Sequence, residues 1–83
     1  MKKRKYTIKA RSRLNGMLAA EDEDNGDWIV LEPLGFEPEL GEVLTGFTAV
    51  HGSQAVTGSA GRSYSLYVQA LGCSKASALA LLP

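Results

Sequence analysis

Residues 5–32 read KYTIKARSRLNGMLAAEDEDNGDWIVLE, and the way this stretch turns back on itself decides the architecture. Its first ten residues alternate. Tyr6, Ile8, Ala10, Ser12 and Leu14 fall on one side of an extended chain, and Lys5, Thr7, Lys9, Arg11 and Arg13 on the other. A period of two marks a half-buried strand with its basic side in water. Two Asn-Gly pairs follow, and each is a signal for a two-residue hairpin turn. Register separates them. A turn at Asn15-Gly16 sets Arg13 opposite Leu18 and Arg11 opposite Ala20, which mixes basic and apolar side chains on one face. A turn at Asn25-Gly26 sets Leu18 against Pro33, Ala20 against Leu31 and Asp22 against Ile29, so most apolar positions agree. The even-numbered face also runs on through Leu14, Gly16, Leu18 and Ala20. The expectation is one long first strand, about 5–22, bent or bulged at Gly16, and a second strand at about 27–32.

Working outward, Pro33, Gly35, Pro38 and Gly41 punctuate a loop. Glu42 to Phe47 reads as a third strand. The phrase Glu39–Gly46, ELGEVLTG, resembles a turn-plus-strand phrase of small bacterial barrels. A weak strand near 54–57 lies among Gly52, Gly58 and Gly61. Ser63 to Leu71 alternates again, with Tyr64, Leu66, Val68 and Ala70 on one face, and Gly72 ends it. Residues 75–82 read either as a short helix capped by Ser74 or as a last strand. No internal repeat is read. Five short strands with a long, strongly bent first one predict a mainly β fold: a small five-stranded barrel, SH3-like or OB-like, with a short C-terminal helix as an option.

The 83 residues make one domain, with 1–4 as a flexible basic arm. The chain is 45% apolar, ordinary for a folded protein. A single cysteine rules out an internal disulfide, and a reducing compartment, the cytoplasm, fits best. Lys9, Arg11 and Arg13 interrupt any apolar segment behind the basic N-terminus, so neither a secretion signal nor a membrane span is read there. Net charge is zero, but seven of the nine basic residues lie in the first 13 positions, and all nine acidic ones lie between Glu21 and Glu42. The two signs are segregated along the chain, which points to interaction with a partner.

Catalytic patterns fail on spacing. His51 and Cys73 are the only residues of their kinds, and nothing places a third group to orient a base between them. Five residues separate Gly52 and Gly58, and Ser59 follows instead of lysine, so the segment is a glycine-rich hairpin rather than a phosphate loop. With Gly26 at the sixth position of a calcium loop, Glu21, Glu23, Asn25, Asp27 and Glu32 fall at positions 1, 3, 5, 7 and 12. The flanks read as strands instead of helices, and the simpler reading is a solvated acidic hairpin tip; cation binding there stays open.

The function expected is therefore non-enzymatic, without cofactor, metal or membrane: a small barrel that binds a protein partner or itself. The alternative is weak binding of single-stranded nucleic acid through the first strand. There Lys9, Arg11 and Arg13 would stand on one face at intervals of roughly 7 Å. The contact residues would be Lys5, Lys9, Arg11, Arg13 and Tyr67, with Trp28 as a second aromatic on an open face.

Overall fold

A computed structural model of the chain describes residues 4–47 and 51–82. Among these residues six strands form: β1 (Arg4–Arg11), β2 (Leu18–Glu21), β3 (Trp28–Pro33), β4 (Val43–Phe47), β5 (Gly52–Gly58) and β6 (Ser63–Cys73). A short helix, α1 (Lys75–Ala80), follows β6, so the open choice at 75–82 resolves as helix over its first six residues. The strands close into a barrel in the order β1-β2-β3-β6-β5-β4, each pair antiparallel. The small closed barrel expected from the sequence is present, with six strands in place of five. Among the described residues, no helix is long and apolar enough to cross a membrane.

The extra strand comes from Asn15-Gly16. The expected long first strand is a hairpin, because the turn there is not the two-residue type. Ser12 N–H donates to Met17 O at 2.8 Å, which closes a loop with four residues between. The Ser12 hydroxyl accepts from Leu14 N and Asn15 N, Asn15 Oδ1 accepts from Met17 N, and Gly16 sits at φ +72°. Ten residues on, the design recurs. Asp22 N–H donates to Asp27 O, Asp22 Oδ1 accepts from Asp24 N, Asn25 Oδ1 accepts from Asp27 N, and Gly26 sits at φ +78°. Both glycines hold the left-handed conformation that other residues resist. The second loop is thus also longer than a two-residue turn. Leu18 pairs with Leu31 rather than Pro33, a slip of two that leaves the faces unchanged.

Inside the barrel lie Tyr6, Ile8, Leu18, Ala20, Ile29, Leu31, Leu44, Phe47, Val56, Tyr64, Leu66 and Val68. Tyr6 and Phe47 meet edge to face, their centroids 5.2 Å apart. Full burial of side chains this size contributes roughly 1.5–3 kcal/mol each, before ordering costs. A second, outer layer explains why Trp28-Ile29-Val30-Leu31 is apolar on both faces. Helix α1 lies across the outside of β2, β3 and β6, and Ala78 packs with Ala19, Trp28 and Val30. Ser74 caps the helix by accepting from Ser77 N at 3.1 Å.

The register of β1 against β2 shifts between Ile8 and Ala10. Tyr6 and Ile8 point inward, whereas Ala10 joins the outer cluster beside Ala19. The bulge lets Arg11 sit opposite Leu18 while Ile8 still reaches Ala20. Arg4, read as part of a flexible arm, opens β1; the rest of that arm lies outside the described residues.

Candidate functional site

The basic row does not survive the bulge. Lys5, Lys9 and Arg11 are exposed on β1, but the shift at Ile8/Ala10 breaks their common face, and Arg13 belongs to the first loop. The acidic loop folds back over the same strand. Lys9 Nζ lies 2.8 Å from Glu23 and 3.8 Å from Glu21, and Arg4 lies 3.3 Å from Asp27. Its bond to Glu23 raises the Lys9 ammonium above 10.5, and Lys9 in turn lowers the Glu23 carboxyl below 4.5. Lys5 and Thr7 line a cleft with Asp22, Glu23 and Asp24. Lys5, Arg11 and Arg13 have no carboxylate partner among the described residues.

The aromatic candidates are elsewhere. Tyr67 is 39% exposed on β6, paired with Glu32 of β3 and Ser53 of β5. In the barrel order, β6 is three strands from β1 in either direction. Tyr67 therefore stands on the far side from Lys5, Lys9 and Arg11. Trp28, expected on an open face, is buried beneath α1.

The calcium-loop positions are engaged one by one. Glu23 faces Lys9, Asp27 faces Arg4, Asn25 closes its own turn, and Glu32 accepts from Gln69 Nε2 at 2.8 Å. Among the described residues, no three acidic, histidine or cysteine side chains group as a metal site requires. His51 is exposed just before β5. Cys73, half-buried at the end of β6, points its thiol at Leu71 O, 3.7 Å away. The glycine-rich stretch 52–62 is strand β5 and its turn into β6.

What the sequence reading missed is one pole of the barrel. β1 and β3 end there and β6 begins there, so loops 12–17, 34–42 and 59–62 share it. Leu14 is 80% exposed, Phe36 75%, Leu40 56% and Leu34 51%. Leu14 was read as a core position of a long strand, but it tips the first loop. The other three sit in the loop between β3 and β4, held down by the buried Pro38. The loops touch: a Cβ on Gly16 would lie 3.5 Å from Glu37 Oε1, and a cleft of about 190 Å³ runs between Asn15-Gly16 and Pro33, Gly35 and Glu37. The Arg62 guanidinium lies 5.8 Å above the Phe36 ring, within cation–π range. A second cleft, about 260 Å³, is walled by Glu37, Glu39, Glu42, Arg62 and Tyr64. At its base the Tyr64 hydroxyl meets both carboxylate oxygens of Glu42 at 3.0 Å. The signal lay in Leu34-Gly35-Phe36-Glu37-Pro38-Glu39-Leu40, where apolar residues stand inside a proline- and glycine-framed loop that has no strand to bury them.

The class defined so far is a small closed antiparallel β-barrel with an apolar, mixed-charge pole. No family model matches the chain, and no curated protein or solved structure matches it.

Proposed function

We propose that this chain is a non-enzymatic interaction module that binds a protein partner, or a second copy of itself, through the pole bearing Leu14, Leu34, Phe36 and Leu40. The observation behind the reading is four large apolar side chains, each at least half exposed, on two touching loops at one end of the barrel. Exposed apolar residues rimmed by charge are where binding energy concentrates, with an aromatic such as Phe36 as the natural anchor. Arg13, Arg62, Glu37 and Glu39 supply the rim. Both signs are present, so the rim can complement a partner of mixed charge, including itself.

The test compares the wild type with Leu14→Asp and Phe36→Asp, both at exposed positions that leave the core intact. Sedimentation over a concentration series reads self-association. Affinity capture after nuclease treatment reads protein partners. The expected result is one association, with self or partner, weakened at least roughly tenfold by Phe36→Asp, the loss of a ~1.4 kcal/mol contact. An association indifferent to both substitutions would sink the reading.

A second reading, single-stranded nucleic acid, is favoured only by Lys5, Arg11 and Arg13, which have no carboxylate partner among the described residues. Lys9 is already neutralised and Tyr67 is across the barrel, so few phosphates and no stacked bases are left to hold. Fluorescence anisotropy at ~50 and ~200 mM salt should show weak binding that vanishes at the higher salt. Tight binding at the higher salt, lost in Arg11→Glu with Arg13→Glu, would put this reading first.

A further inference from the structure

The two signs of charge at the apolar pole are sorted to opposite sides of it. In the barrel order, the loop joining β1 to β2 and the loop joining β5 to β6 face each other across the ring. Residues 34–42, which join β3 to β4, cross the mouth between them and carry Leu34, Phe36 and Leu40. On the first side stand Arg11, at the end of β1, and Arg13 beside Leu14, both exposed. On the second side Glu39 and Glu42 wall the cleft that reaches Ala60 and Tyr64. Arg62 is the only basic residue of 34–42 and 59–62, and its guanidinium lies over the Phe36 ring. Arg11, Arg13, Glu37 and Glu39 have no oppositely charged side chain at ion-pair distance among the described residues.

A surface that is apolar across its middle, positive at one side and negative at the other is complementary to itself. We propose, resting on the binding pole read above, that its occupant is a second copy of this chain, set pole to pole about a two-fold axis. The axis lies in the plane of contact and runs across the line joining the two charged sides. It sets Arg11 and Arg13 of each copy against the Glu39 side of the other, so every charge contact is made twice. The apolar side chains of the crossing segment are covered between them. The other two-fold arrangement, with like loops facing, brings arginine onto arginine and is rejected by repulsion. A two-fold contact of this kind uses the same patch on both copies and closes at two.

Sedimentation of the whole chain over a concentration series, at ~50 mM salt so that exposed charges are less screened, reads the state directly. The expected result is a monomer–dimer equilibrium that stops at two. Arg13→Glu and Glu39→Arg, both at exposed positions, should each weaken it about tenfold, because each acts on both sides of the axis. Mixing the two variants should restore a mixed dimer about as tight as the wild type, which also shows that both are folded. Lys75→Glu and Asp24→Arg, exposed and away from the pole, make the same changes of net charge and should neither weaken the dimer nor favour mixed pairs. A chain that stays monomeric up to about 1 mM, the weak end of specific association, would overturn the two-fold pairing. So would growth beyond two copies, no rescue on mixing, or an equal preference for mixed pairs away from the pole. If a different protein is then captured by the wild type and lost in Phe36→Asp, the binding pole stands and only its occupant changes. A dimer indifferent to Phe36→Asp would remove the pole as well.

Discussion

At Gly58 the chain leaves a place for its neighbours. A Cβ there would overlap Glu42 Oε2 and lie 2.8 Å from Tyr64 Cε2. The missing side chain is what lets Glu42 reach the Tyr64 hydroxyl. Burial of the ring and, after it, the bond to Glu42 hold the Tyr64 phenol above its ordinary 10.0. A folded pKa raised in this way favours the neutral phenol. Its contribution is fully present below 10.0 and is lost as pH rises through the folded value. Gly58→Ala should displace the Glu42 carboxylate, the flexible partner, and press on the Tyr64 ring, the stiff one. The expected cost is about 1–3 kcal/mol, as for other overpacked sites. Thermal unfolding should show it as a loss of roughly 4–8 °C per kcal/mol. In the same variant, tyrosinate absorbance should place Tyr64 lower than in the wild type yet still above 10.0, because burial remains. An unchanged titration would mean that Glu42 does not depend on the space at Gly58.

Among the elements, the helix depends most on its surroundings. Six residues are too few for a helix to persist alone in water, so α1 is held by its cap and by Ala78 against Ala19, Trp28 and Val30. Trp28 is the only tryptophan, which makes it a reporter of that contact. Ala78→Glu should lift the helix and wet Trp28, shifting its emission to the red, while the far-ultraviolet signature of the barrel persists. Emission unchanged from the wild type would show that α1 is not what covers Trp28. The strands around it were legible in uneven measure. β4 and β6 were placed to within one or two residues, β6 from its alternation, although it runs on through Gly72, read as its end, to Cys73. The outer layer was not legible, because an apolar run buried on both faces looks the same whether its second cover is a helix or another sheet. The first hairpin was missed because Asn-Gly was taken to mean a two-residue turn. The fuller phrase, Ser or Asp three residues before each Asn-Gly, occurs at 12–16 and again at 22–26, and gives the longer loop in both places. Among the candidate contacts, the exposure of Lys5, Lys9, Arg11 and Tyr67 could be read from alternation. Their separation around the barrel could not, because it follows from strand order.

At the scale of the molecule, the segregated charges of the sequence meet in space. The acidic loop lies along the basic strand and neutralises part of it, so its stored charge is spent within the chain, while Leu14, Leu34, Phe36 and Leu40 remain uncovered at the opposite pole. Closure of the barrel also sets an order in time. The first two hairpins each begin with partners seven positions apart, Arg11 with Leu18 and Glu21 with Trp28. The two seams that complete the ring join distant segments. Thr7 meets Val43, 36 positions away, and Pro33 meets Leu66, 33 away. Short loops close first, on a microsecond scale, and distant pairings wait until more chain entropy has been overcome. Pulse-labelled hydrogen exchange during refolding should therefore protect the amides of Ser12 and Asp22, which close the hairpin loops, before those of Ile8 and Leu34, which bond across the seams to Glu42 and Ser65. Simultaneous protection of all four would mean that the barrel condenses as a single nucleus, with neither meander formed ahead of the ring.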